Sequence, residues 1–143
     1  MAGLKRLGHQ SRITEILNED LMLPAVAQGA LGIVCRTGDD KTQEILSTLE
    51  HKPTRICVTA ERTLLRALGG SCQVPIAGHA TITGDRLRIR GLIASLDGKQ
   101  VLLKDTEGPL SQAQEIGWDV GQKLIAAGAS EILADIVQHG SEG

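Results

Sequence analysis

Cys72 stands in the stretch Gly69-Gly70-Ser71-Cys72-Gln73-Val74-Pro75-Ile76, a thiol on a glycine-hinged loop directly after a segment rich in arginine. A sulfur so placed suits covalent attachment of a carried group, because the glycines let the loop swing. The segment before it holds Arg55, Thr59, Arg62 and Arg66 at spacings of three and four, so on a helix the guanidinium groups share one stripe. Two effects act on the thiol in opposite directions. A helix C-terminus just ahead of it disfavours the thiolate, while Arg62 and Arg66 favour one if they turn toward the loop. Residue type alone favours an inert core cysteine or a free surface thiol, and a solvated helix face is the plain reading of the arginines.

The remaining reactive residues form no set. Cys35, Cys57 and Cys72 are odd in number with no close pair, which argues against a disulfide framework and a conventional zinc site and predicts free thiols. His9, His51, His79 and His139 are scattered without ligand spacing, so no metal is expected. No Ser-His-Asp set, phosphate loop or dinucleotide fingerprint is present.

The elements that must position Cys72 follow from periodicity. Ser11 caps a short helix to Asn18. Leu23 to Arg36 is an apolar stretch broken by Gln28-Gly29, read as a buried strand or hinge. Asp39 or Asp40 caps a helix running through Glu50, with Ile45, Leu46 and Leu49 inward. Pro53 starts the next, whose core face is Cys57, Ala60, Leu64 and Leu68 and whose terminator is Gly69. Three strands come after it, Gly78 to Thr83, Arg86 to Ile93 and Gln100 to Lys104. Arg86, Arg88 and Arg90 alternate with Leu87, Ile89 and Gly91 as a wet face, and Asp97-Gly98 marks a hairpin. A long final helix opens with a capping box, Ser111 and Gln114, buries Ala113, Ile116, Val120 and Leu124, and stops at Gly128. Gly117 and Gly121 inside it suggest close packing against the sheet, with two merely tolerated glycines as the alternative. The expected fold class is α+β, a three-stranded antiparallel sheet with helices packed on one face, plus an N-terminal remnant.

At 143 residues and 41% hydrophobic, the chain can bury one ordinary core. Trp118 is its single aromatic residue, which removes base stacking as a binding mode. With 15 basic and 17 acidic residues there is no global field to attract nucleic acid or an anionic membrane. No apolar run is long enough for a signal peptide or a membrane span, so a cytoplasmic protein is expected.

Four segments resemble the porphobilinogen deaminase (hydroxymethylbilane synthase) family, in family order. They are Ala60-Glu61-Arg62 through Leu68 and the glycines to Cys72-Gln73-Val74-Pro75-Ile76, Ala2-Gly3-Leu4-Lys5-Arg6-Leu7-Gly8, Leu23-Pro24-Ala25-Val26-Ala27-Gln28-Gly29-Ala30-Leu31-Gly32-Ile33, and Gly128-Ala129-Ser130-Glu131-Ile132-Leu133-Ala134. The resemblance implies a dipyrromethane cofactor held by a thioether to Cys72. On this primer four porphobilinogen units are joined with loss of ammonia to give a linear polypyrrole chain. Each pyrrole brings acetate and propionate groups, which call for guanidinium partners. Arg62 and Gln28 match cofactor-binding positions of the family, and Arg6 a substrate-binding one.

Family members are much longer, so the resemblance implies a C-terminal portion. Residues 1–38 would be a remnant of preceding domains and a hinge strand, and residues 39–143 the cofactor-carrying domain. The missing N-terminal domains hold the family's catalytic aspartate, so no catalytic residue is expected here and the fragment alone should be inactive. Ala27, Ser71 and Ala77 depart from family glycines, the last two beside Cys72. The alternative reading is a non-catalytic binding or interaction module that keeps the domain fold.

Overall fold

The computed structural model describes residues 2–69 and 74–139, with side chains up to residue 136. Strands β1 (Ile76–Thr83), β2 (Arg86–Ala94) and β3 (Val101–Pro109) form an antiparallel meander in the order β1-β2-β3. The α+β class is the one expected. Gly84, at φ 62°, makes the two-residue turn that pairs Thr83 with Arg86. The second hairpin is tied by the Ser95 and Asp97 side chains, with Asp97 Oδ1 accepting from Lys99 N and Ser95 Oγ from Gln100 N.

Alternation on β2 fixes which face is buried. Leu87, Ile89 and Ile93 point into the core and are fully buried. The opposite face carries Arg86 and Arg88, which bond across the sheet to Glu107 (2.9 Å) and Asp105 (2.9 Å), while Arg90 reaches Asp20 (2.6 Å). The expected wet arginine row is therefore also a paired one.

Helices α3 (Lys52–Ala67) and α4 (Ala113–Ala126) lie on the inner face, and α5 (Ala129–His139) completes the core with Ala129, Ile132 and Ile136. Pro53 sits in the first turn of α3, and Ala60, Leu64 and Leu68 form its buried stripe. Leu64 lies over Gly78 and Gly91 of the sheet, where any Cβ would meet its methyl groups at 2.9 and 2.8 Å. Asp39 caps α2 (Asp40–Ser47) by accepting from Thr42 N at 3.1 Å.

Several expectations fail. Ser11 to Asn18 is not a helix; the chain forms α1 (Ala2–Arg6) and a 3-10 turn, Gln10–Arg12, then continues irregularly. Leu23 to Arg36 is not buried. Its backbone contacts with the sheet are confined to its first residues, the Ala25–Ala77 bridge and the bond from Gly78 N to Pro24 O, and Leu31 and Val34 are 98% and 97% exposed. Ile45 and Leu49 are exposed rather than inward. The Ser111/Gln114 capping box does not form, because a 3-10 turn at Leu110–Gln112 moves the start of α4 to Ala113 and makes Gln112 its cap. Gly117 and Gly121 pack closely, but on Ala60 and Ala67 of α3 rather than on the sheet. The helix from Ala113 stops at Gly128 (φ 106°) as expected, but it is not the last, because α5 follows it where no further helix is expected.

Candidate functional site

The C-terminal end of α3 forms one wall of the site. Leu68 caps the helix, and Gly69 at φ 61° turns the chain away while its N–H bonds Arg66 O at 3.0 Å. The next described residues are Val74 and Pro75, and Pro75 O accepts from Ala94 N at 3.2 Å where the chain joins the sheet. Cys72 falls in the interval between these two bonded ends and lies outside the described residues, as do Gly70, Ser71 and Gln73.

The arginine stripe divides into three different environments. Arg55 pairs with Glu50 at 2.7 Å, at the far end of α3 from the Cys72 interval. Arg66 folds back along its own helix, with Nη2 donating to Thr63 Oγ1 at 3.0 Å and Nε to Arg62 O at 3.4 Å. Arg62 is exposed, and among the described residues its guanidinium has no hydrogen-bond or ion-pair partner. A free fork of this kind is the group a carboxylate-bearing ligand needs.

Next to Arg62 in sequence is Glu61, which no composition or motif argument had assigned a role. It is 5% exposed, and each carboxylate oxygen accepts one backbone N–H from a different segment. Oε2 accepts from Ala27 at 2.7 Å and Oε1 from Ala80 at 2.8 Å. The first bond brings the turn from Ala25 to Ala30 against α3. Gln28, exposed on that turn, and Arg62 are thus the chain neighbours of a hydrogen-bonded pair. A signal for Glu61 did exist, since it lies three residues before Leu64 and four after Cys57, on the core side of α3 where a carboxylate needs partners. Arg6 ends α1, is exposed, and is not joined to α3 by any hydrogen bond or ion pair of the described residues.

Neither described thiol competes for the attachment role. Cys35 is exposed on the irregular segment. Cys57 is half-buried, and burial first, then the negative charge of Glu61, pushes its pKa up from the ordinary thiol value, which disfavours the thiolate. A cleft of about 560 Å³ opens beside Glu50, Lys52 and Arg55 and across from Gln114 and Glu115, at the opposite end of α3. Its charges are mixed and it is remote from the Cys72 interval. Among the described residues no group of three His, Cys, Asp or Glu could hold a metal ion, and no helix is long and apolar enough to cross a membrane.

The α+β domain brings an exposed guanidinium and a docked turn to α3, and known proteins narrow its class further. The family model described as "Porphobilinogen deaminase, C-terminal domain" matches residues 55–126, half of the chain. The one described as "Porphobilinogen deaminase, dipyromethane cofactor binding domain" matches residues 1–44. The chain is 46% identical over 138 residues to the porphobilinogen deaminase of Trichlorobacter lovleyi, covering 96% of this chain and 44% of that protein. It is 46% identical over 133 residues to that of Syntrophotalea carbinolica (93% and 42%) and 44% identical over 138 residues to that of Geobacter sulfurreducens (96% and 43%). The chain belongs to the porphobilinogen deaminase family. It spans less than half the length of the curated relatives it matches.

Proposed function

We propose that this chain supplies the cofactor-carrying part of a hydroxymethylbilane synthase, the transferase that joins four porphobilinogen units with release of ammonia in tetrapyrrole synthesis. In this reading Cys72 holds dipyrromethane through a thioether, Arg62 and Gln28 bind its carboxylates, and Arg6 binds the growing polypyrrole chain. When bound, dipyrromethane supplies the primer for chain growth. Residues 1–38 serve as the end of the preceding domains and the hinge, and residues 39–143 as the carrier domain. The N-terminal domains of the same enzyme are the protein partner, the setting is the cytoplasm, and residues 1–143 alone lack deaminase activity.

The observation that carries this reading is the Arg62 guanidinium, without a partner among the described residues, next in sequence to the Glu61 that holds the turn bearing Gln28. The donor set suits the cofactor, since each pyrrole presents carboxylates and the chain offers an exposed guanidinium and a carboxamide there. Arg66, bonded back along α3, leaves Arg62 as the described arginine of the stripe free to face a ligand.

The test is the intact mass of the chain before and after exposure to hydroxymethylbilane. The sulfur of Cys72 bonds to the terminal methylene carbon, and the hydroxyl leaves as water with the thiol proton. The expected gain is hydroxymethylbilane less one water, absent from Cys72→Ser. An equal gain in both proteins, or none even with the N-terminal part of a relative added, would overturn the reading.

A further inference from the structure

Glu61 joins two separate pieces of backbone, and we infer that it is a positioning residue that seats the turn carrying Gln28 on α3, one residue from Arg62, while closing the outer edge of β1. The inference rests on the reading that Gln28 and Arg62 serve the cofactor. Its physical basis is the geometry of the two bonds. Ala27 donates to one oxygen at 2.7 Å and Ala80 to the other at 2.8 Å, so the carboxylate is shared between the turn and the sheet.

The turn needs such a hold. Ala27 is the one non-glycine among the described residues with positive φ, at 60°, a backbone region that residues with a Cβ seldom occupy without an outside constraint. Within the turn, Gln28 N bonds Ala25 O at 3.0 Å and Ala30 N bonds Ala27 O at 3.1 Å. Before it, Gly78 N donates to Pro24 O at 3.1 Å and Ala25 bridges to Ala77, which lays residues 24–27 along the side of β1 away from β2. After it, the chain enters the exposed run through Leu31 and Val34. Glu61 is thus the last fixed point before that run, and its replacement frees the position of Gln28 relative to Arg62.

Residue-resolved amide exchange on the full chain tests this. Glu61→Met removes both acceptor oxygens and keeps a side chain of similar length. The expected result is at least a tenfold loss of protection at Ala27, Gln28 and Ala30, with Val120 and Leu124 in the α4 core unchanged. Wild-type protection at Ala27–Ala30 in the variant overturns the inference, and so does an equal loss at every amide, which would make Glu61 a general stability element. If Glu61→Met does not fold, wild-type exchange in increasing denaturant decides the matter. Ala27 and Ala80 should then open at one denaturant concentration, below that of Val120. Free exchange at Ala27 beside a protected Ala80 would overturn the inference. Because no pyrrole is involved, a chain that shows the pattern but never loads Cys72 counts against the functional reading alone.

Discussion

Gly117 of α4 lies so close to Ala60 of α3 that a methyl group on Gly117 would run into the Ala60 carbonyl oxygen. Backbone cannot give way as a side-chain tip can, so the missing Cβ sets the distance between the two helices. Gly117→Ala should gain about 1 kcal/mol in helix propensity but lose more to overpacking, about 1–3 kcal/mol and at the upper end against backbone. A net fall in Tm of several degrees is expected by calorimetry. Gly32→Ala, at a position with open space and ordinary φ, should leave Tm unchanged.

Leu64 is fully buried over the two sheet glycines, Gly78 and Gly91. Leu64→Ala leaves a cavity that neither glycine can fill. A loss of about 2–5 kcal/mol is expected in urea unfolding, with an unchanged m-value.

Arg62 separates binding from stability. Its side chain is exposed and has no partner among the described residues, so Arg62→Leu should alter stability by no more than about 0.5 kcal/mol. The rate of the hydroxymethylbilane mass gain should nevertheless fall roughly tenfold, about 1.4 kcal/mol of lost stabilisation for charge-assisted bonds to a carboxylate. Arg62→Lys should recover part of the rate, since a point charge replaces a planar fork. A rate untouched in Arg62→Leu would remove Arg62 from the site.

Cysteine alkylation should follow burial and charge. Cys35 is exposed and should react with iodoacetamide at neutral pH before Cys57, whose pKa is raised by burial and by Glu61. Peptide mapping over a time course reads the order. Faster labelling of Cys57 than of Cys35 would contradict the burial described for α3.

Asp119 gives a pH dependence with a defined sign. The hydrogen bond from Lys123, then that from Thr106, holds its carboxyl below the ordinary 3.8. A depressed folded-state value contributes stability that is fully present above 3.8 and is lost as pH falls through the folded value. The pair is half-exposed, so Asp119→Asn should cost less than about 1 kcal/mol at pH 7. Thermal melts of variant and wild type should converge at pH 2, and a gap that persists there would contradict the assignment.

What could be read from the sequence divides along one physical line. The meander, α3 and α4 bury their patterned faces against each other, so period and burial agreed at Leu87, Ile89, Leu64 and Val120. The failures lie where pattern had no partner. Ser11 to Asn18 has no packed face, and a helix that short does not persist on propensity alone. Leu23 to Arg36 is apolar, which signals burial, yet nothing among the described residues covers Leu31 or Val34. The family resemblance named Arg62 and Gln28, but the bond between their chain neighbours Glu61 and Ala27, thirty-four apart in sequence, is created only by the fold.

Residues 24–27 and the Glu61 carboxylate occupy the outer side of β1, which leaves β3, guarded by Lys104, Asp105 and Glu107, as the open side of the sheet among the described residues. A sheet with one unpaired side can accept a single neighbour and then stops, whereas one with two can add copies end to end without limit. The docked segment thus leaves this sheet one open side rather than two among the described residues. Release of residues 24–27 from β1 would restore the second open side, and with it the geometry that permits end-to-end addition.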